Sequence, residues 1–174
     1  MKHITFAVTM LALALGAAAC DDKSPTSPGE NPPKFTATLL PANETPVVPT
    51  GAEALGSGVT TITLNLTKDS AGNITAVTAD FTTTVTGFPP GITLTAAHIH
   101  PGAAGTTGNP VVNLGLTQGE VSFATGSGTF TKSGITVSVD QANAILANPG
   151  NFYFNIHTST FGGGVARGQL VRTQ

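Results

Sequence analysis

Three histidines fall in segments that alternate like β-strands. His98 and His100 flank Ile99, and His157 ends the run Phe152-Tyr-Phe-Asn-Ile-His157. A period of two puts the His98 and His100 imidazoles on one strand face, with Ile99 on the other. In the second run Phe152, Phe154 and Ile156 share one face, and Tyr153, Asn155 and His157 share the opposite one. If the two strands are neighbours, the three imidazoles converge. Neutral imidazole is a common ligand for zinc and copper, and three His with one open position is a known catalytic zinc arrangement. His98, His100 and His157 are therefore candidate metal ligands, with copper or zinc as the candidate ion. A structural reading competes with this one. Imidazoles on a half-exposed sheet can hydrogen-bond to a neighbouring loop, and the Gly-rich segment Pro101–Pro110 offers carbonyls for it. Glu44 and Glu120 could orient such ligands, but no spacing places either beside them.

Arg167, in Ala166-Arg-Gly-Gln-Leu170, is the next candidate. Its fork can hold a carboxylate on another strand or an anionic ligand, and Glu44 is the expected buried partner. No GxSxG, phosphate-loop or HExxH pattern occurs, so no catalytic residue is assigned and the chain reads as non-enzymatic.

Cys20 is the one cysteine, which excludes a disulfide within the chain and any Cys-cluster zinc site. Its position is informative. Met1-Lys2-His3 is a short basic start, Ile4 to Ala19 is apolar, and Ala17-Ala18-Ala19 leads directly into Cys20. That run is short for a membrane span but suits a secretory signal. It resembles a bacterial lipoprotein signal over residues 1–19, with Ala17 where Leu is usual and Cys20 as the lipidated residue. Residues 20–34 (CDDKSPTSPGENPPK) are Pro-rich and nearly without apolar side chains, so they read as a flexible tether. The expected location is the cell envelope, with the chain anchored to a membrane by its N-terminal lipid and facing the periplasm or exterior. An envelope protein is the expected kind of partner.

The elements that must position the histidines lie in residues 35–174. Ile62, Leu64 and Leu66 alternate with Thr61, Thr63, Asn65 and Thr67, and Ile74–Val85 repeats the pattern after the polar turn Lys68–Asn73. Such alternation marks strands with one buried and one wet face. Further strands are expected at Phe35–Leu40, Leu94–His100, Val111–Leu114, Phe152–Thr158 and Val165–Val171. Glu120–Phe123 and Gly126–Lys132 are expected to pair around a small turn. Ser138 and Gln141 form a capping box before Ala142, Ile145 and Leu146, and Asn148-Pro149-Gly150 ends that helix. The expectation is an all-β antiparallel Greek-key sandwich or barrel of about eight to nine strands with one short helix.

Composition agrees. The chain has 174 residues, 9% charged and 40% hydrophobic, with 29 Thr, 21 Gly and a net charge of −2. That length suits one domain. The charge balance lacks the basic stripe of a nucleic-acid binder, so no nucleic-acid partner is expected. Thr, Val and Gly favour strands and turns over helices.

Four motifs carry a family resemblance: Leu40-Pro-Ala-Asn-Glu-Thr-Pro-Val-Val48; Ala97-His-Ile-His-Pro-Gly102 with Gly108-Asn-Pro-Val-Val112; Asn151-Phe-Tyr-Phe-Asn-Ile-His-Thr158; and Val165-Ala-Arg-Gly-Gln-Leu170. In this order they resemble the CHRD domain, named for chordin and also found in bacterial secreted proteins. Val165 and Ala166 stand where the family usually has Glu and Ile, so any role of that Glu is absent here. The resemblance implies an extracytoplasmic β domain.

Overall fold

The computed structural model describes residues 31–174; the signal segment 1–19, Cys20 and most of the tether lie outside them. Ten strands and one α-helix follow in chain order: β1 (Lys34–Leu39), β2 (Ser57–Lys68), β3 (Ile74–Thr86), β4 (Ile92–Pro101), β5 (Val112–Asn113), β6 (Val121–Phe123), β7 (Gly128–Val137), α1 (Val139–Ala147), β8 (Phe152–Thr158), β9 (Ala166–Gln169) and β10 (Val171–Arg172). One antiparallel sheet has the order β10-β1-β2-β3-β7; the other has β5-β4-β8-β9, with β6 also paired to β4. The two sheets form a sandwich, in line with the all-β expectation.

The alternation of β2 and β3 places Ile62, Leu64, Phe81 and Val85 in the core, where they meet Leu94, Ile99, Phe154 and Ile156 of the other sheet. Phe81 and Phe154 stack across it, with ring centroids 5.8 Å apart. The outward faces are rich in threonine, and hydroxyl pairs such as Thr84–Thr129 (2.8 Å) bridge adjacent strands. The polar turn between β2 and β3 is held by Asp69, whose carboxylate accepts from the Ala71 and Asn73 amides. The capping box forms as expected, with the Gln141 amide donating to Ser138 Oγ at 3.3 Å, and α1 buries Ala142 and Ile145.

Three expectations are corrected. The described residues hold ten strands, because the stretch Val165–Val171 splits at Leu170. Its first part, β9, pairs with β8, and its last part, β10, crosses to pair with β1 in the opposite sheet. Leu170 at this corner is buried. Glu120–Phe123 and Gly126–Lys132 do not pair with each other. The first pairs with β4 and the second with β3, so the chain changes sheets at Gly126. Gly126 has φ +75°, and its backbone lies so close to the Phe88 carbonyl that a Cβ would collide with it. A tight left-handed crossing of this kind needs glycine. Finally, Lys34 belongs to the first strand rather than to the tether, opposite Thr63.

β4 and β8 are direct neighbours, with Ala96↔His157, His98↔Asn155 and His100↔Tyr153 in register. The register shifts between Leu94 and Ala96, next to His157. β8 is buried at all seven positions, so its polar face is covered as well as its core face.

Candidate metal centre

The polar face of β4 and β8 brings the three predicted histidines together. His98 and His157 are diagonal across the strand pair, and His98 Nδ1 lies 3.0 Å from His157 Nε2. The ring centroids of His98 stand 5.4 Å from His100 and 4.8 Å from His157. One nitrogen of each ring can be chosen so that all three lie within 4.8 Å of one another. His100 and His157 are buried, at 7% and 6% exposure, and His98 is half-buried.

Backbone carbonyls fix two of the rings. His100 Nδ1 is 2.8 Å from the Gly108 carbonyl, and His157 Nδ1 is 3.0 Å from the Gly162 carbonyl. A carbonyl oxygen can only accept, so each Nδ1 carries the proton and each Nε2 presents a lone pair. The His100 Nε2 is buried and has no hydrogen-bond partner. The Asn155 side-chain amide lies 3.0 Å from His157 Nε2, which also faces His98; with Nε2 as acceptor, the amide meets it through its NH2 end. Burial, together with the charges His157 and His100 would carry, lowers the His98 pKa from 6.5 to about 4. His157 is also lowered, chiefly by burial. His98 is thus neutral at neutral pH, and burial favours the neutral form of His157, the form that ligates metals.

A stack supports the cluster from one side. Tyr153, opposite His100 in register, lies parallel to it within 3° at a centroid distance of 4.9 Å. The Arg167 guanidinium sits 4.4 Å from the Tyr153 centroid. Arg167 reaches this place from β9, opposite Asn155, and is only 1% exposed. Its fork donates to the Asn43 carbonyl (2.6 Å), the Thr106 carbonyl (2.8 Å) and Thr45 Oγ1 (2.9 Å). It therefore ties together the Pro41–Asn43 turn, the 101–110 loop and the sheet.

Glu44 lies nearby, 5% exposed, within the field of Arg167, but no Arg167–Glu44 ion pair forms among the described residues. Its Oε1 has no hydrogen-bond partner. Burial raises its pKa from 4.5 to about 7, against the opposing pull of Arg167. Gly164 packs against this carboxyl so closely that a Cβ there would touch it. Glu120 is elsewhere engaged, accepting from Lys132 at 2.8 Å and from Thr117. Cys20 lies outside the described residues.

Sequence reasoning passed over Tyr153 and Asn155 as parts of the cluster. The signal was present, since both share the His157 face of their strand. Gly108 and Gly162 carried no such signal, because their contribution is a backbone carbonyl.

A family model described as the CHRD domain matches residues 35–170. No curated protein and no solved structure matches the chain.

Proposed function

Because the chain belongs to the CHRD domain family, an extracellular-type binding or structural domain, we propose that it acts as a lipid-anchored, non-enzymatic module of the cell envelope. The lone Cys20 carries this reading. It follows an apolar segment ending in three alanines and precedes a Pro-rich stretch that reaches the first strand at Lys34. Residues 21–33, fully extended, span at most about 45 Å. A lipid at Cys20 would therefore hold the sandwich near a membrane while leaving its surfaces free to bind.

Both ends of the domain suit such a tether. Lys34 and Gln174 are hydrogen-bonded neighbours, so the chain enters and leaves the fold at one place. Leu40, which bridges to Arg167, lies roughly 20 Å further along β1 at ~3.3 Å per residue. An anchor at Cys20 pulls on the Lys34 end and does not cover the loops gathered around Arg167.

Expression of the full chain and of Cys20→Ser in a bacterial host tests this. The parent should fractionate with membranes, incorporate labelled palmitate and lose residues 1–19. The variant should remain unlipidated and leave the membrane fraction. A Cys20→Ser protein that still takes up label and sediments with membranes overturns the reading.

A further inference from the structure

Beyond the envelope role, we propose that His98, His100 and His157 form a mononuclear site for a late first-row transition ion, copper or zinc, bound through Nδ1 of His98 and Nε2 of His100 and His157. The geometry of the donors carries this. Gly108 and Gly162 hold the Nδ1 protons of His100 and His157, which is how metal-ligating imidazoles are commonly oriented, by a partner on the far ring nitrogen. Both Nε2 lone pairs are thereby committed to the interior of the cluster. The one on His100 is buried and meets no donor at all. A network built only to satisfy hydrogen bonds would not leave that atom empty, whereas an ion satisfies it.

Spacing agrees with a single ion. Metal–nitrogen bonds of ~2.0–2.1 Å in tetrahedral geometry set ligand atoms about 3.3 Å apart. One nitrogen from each ring lies within 4.8 Å of the other two, and the His98 Nδ1–His157 Nε2 pair is at 3.0 Å. His98 is the ligand that must adjust. Without an ion its Nδ1–H donates to His157 Nε2; on binding, that proton moves to His98 Nε2 through solvent and the freed Nδ1 lone pair takes the metal. His98 is the half-buried member of the three, so this exchange has access to water.

The donor set selects the ion. Three imidazole nitrogens converge, and among the described residues no thiolate or carboxylate joins the cluster. Calcium and magnesium require oxygen ligands, whereas imidazole suits zinc and copper. The Tyr153 ring fixes the plane of His100, and Arg167 in turn packs on Tyr153, so the least adjustable ligand is also the best supported.

The test is titration of the full chain, purified in detergent without a polyhistidine tag. Zn(II), and separately Cu(I) under anaerobic reducing conditions, compete against a chelating indicator. About one equivalent of either ion per chain should bind at sub-micromolar free concentration, and His100→Gln or His157→Gln should weaken binding at least ~10–100-fold. Circular dichroism establishes that each variant is folded. Where a variant fails to fold, histidine ring nitrogen chemical shifts of the parent protein decide. Nε2 of His100 and His157 and Nδ1 of His98 should move on metal addition, and the Nδ1 protons held by Gly108 and Gly162 should persist. The proposal is overturned if neither ion binds at micromolar supply, if folded variants bind as the parent does, or if the ring shifts stay unchanged.

Discussion

Tyr153 lies flat on His100, their rings 4.9 Å apart and within 3° of parallel, and this contact joins the histidine cluster to the buried Arg167. The pair follows from the register of β4 on β8, which sets the two residues directly opposite. Tyr153 is only 3% exposed, so its ring is a packing element as well as a support. Tyr153→Ala should destabilise the fold by about 3 kcal/mol, as buried aromatic truncations do. Tyr153→Phe keeps the ring and should cost under ~1 kcal/mol. Urea denaturation of the two variants checks the contrast, and equal losses would remove the ring from its assigned role.

Arg167 gives a second prediction. Three acceptors from three chain segments converge on one guanidinium: Asn43 O, Thr106 O and Thr45 Oγ1. A lysine ammonium has no planar fork and cannot meet all three. Arg167→Lys should therefore cost about 2–4 kcal/mol, because buried carbonyls lose their donors. Hydrogen exchange should show faster opening of the 41–46 and 101–110 segments, with the β2–β3 pair protected as before. Uniform loosening of both sheets would contradict the local role.

Glu44 makes stability depend on pH in an unusual direction for a carboxyl. Its folded pKa is raised from 4.5 to about 7 by burial. Between those values the folded chain keeps a proton that the unfolded chain releases, so stability falls as pH rises. The contribution is fully present below pH 4.5 and is lost as pH climbs through 7. Glu44→Gln removes this dependence, and above neutral pH it should gain about 1–2 kcal/mol over the parent, a figure reduced for partial solvent screening. Urea midpoints across this pH range read the effect directly. A parent protein that grows more stable over the same interval, with the variant following it, would place the Glu44 carboxyl in its ionised form.

Gly168 tests the contact between the sheets. A Cβ on Gly168 would run into the Thr38 backbone of β1, which no side-chain rotation relieves. Gly168→Ala should push β9 away from β1 and cost about 1–3 kcal/mol by overpacking. Gly163, where a Cβ meets nothing within 4 Å, is the control, and Gly163→Ala should be near neutral. Comparable losses at both positions would contradict the steric reading.

The parts legible in the sequence are those with local periodicity. Alternation in β2, β3, β4 and β8 assigned the faces correctly, so the convergence of His98, His100 and His157 needed only the assumption that β4 and β8 are neighbours. Ser138 and Gln141 marked the helix for the same local reason. What escaped was non-local. The segment after Glu120 looked like a hairpin because two short apolar runs flank glycines, yet Gly126 turns the chain into the other sheet. Leu170 is one apolar residue in an apolar run, and nothing beside it announces a change of sheet. Arg167 was expected to meet a carboxylate, but carbonyls from loops serve it instead, and loop carbonyls leave no trace in residue type. Glu44 correspondingly makes no ion pair with Arg167, and burial raises its pKa to about 7.

Linkage between ion binding and folding gives the last prediction. An ion that binds the folded chain alone stabilises it according to its free concentration, by about 2.7 kcal/mol at a hundredfold excess over the dissociation constant. For a domain of this size that corresponds to a rise in Tm of roughly 10 °C. The rise should follow addition of Zn(II), reverse with a chelator, and vanish in folded His100→Gln. It should persist in Tyr153→Phe, which retains the ring on His100. Magnesium at the same concentration should leave Tm unchanged, since the three converging ligand atoms are imidazole nitrogens and magnesium requires oxygen. Equal shifts with magnesium, or an undiminished shift in His100→Gln, would mean that the ion acts at some other surface, because only coordination by these three imidazoles ties the stabilisation to the His100 Nε2.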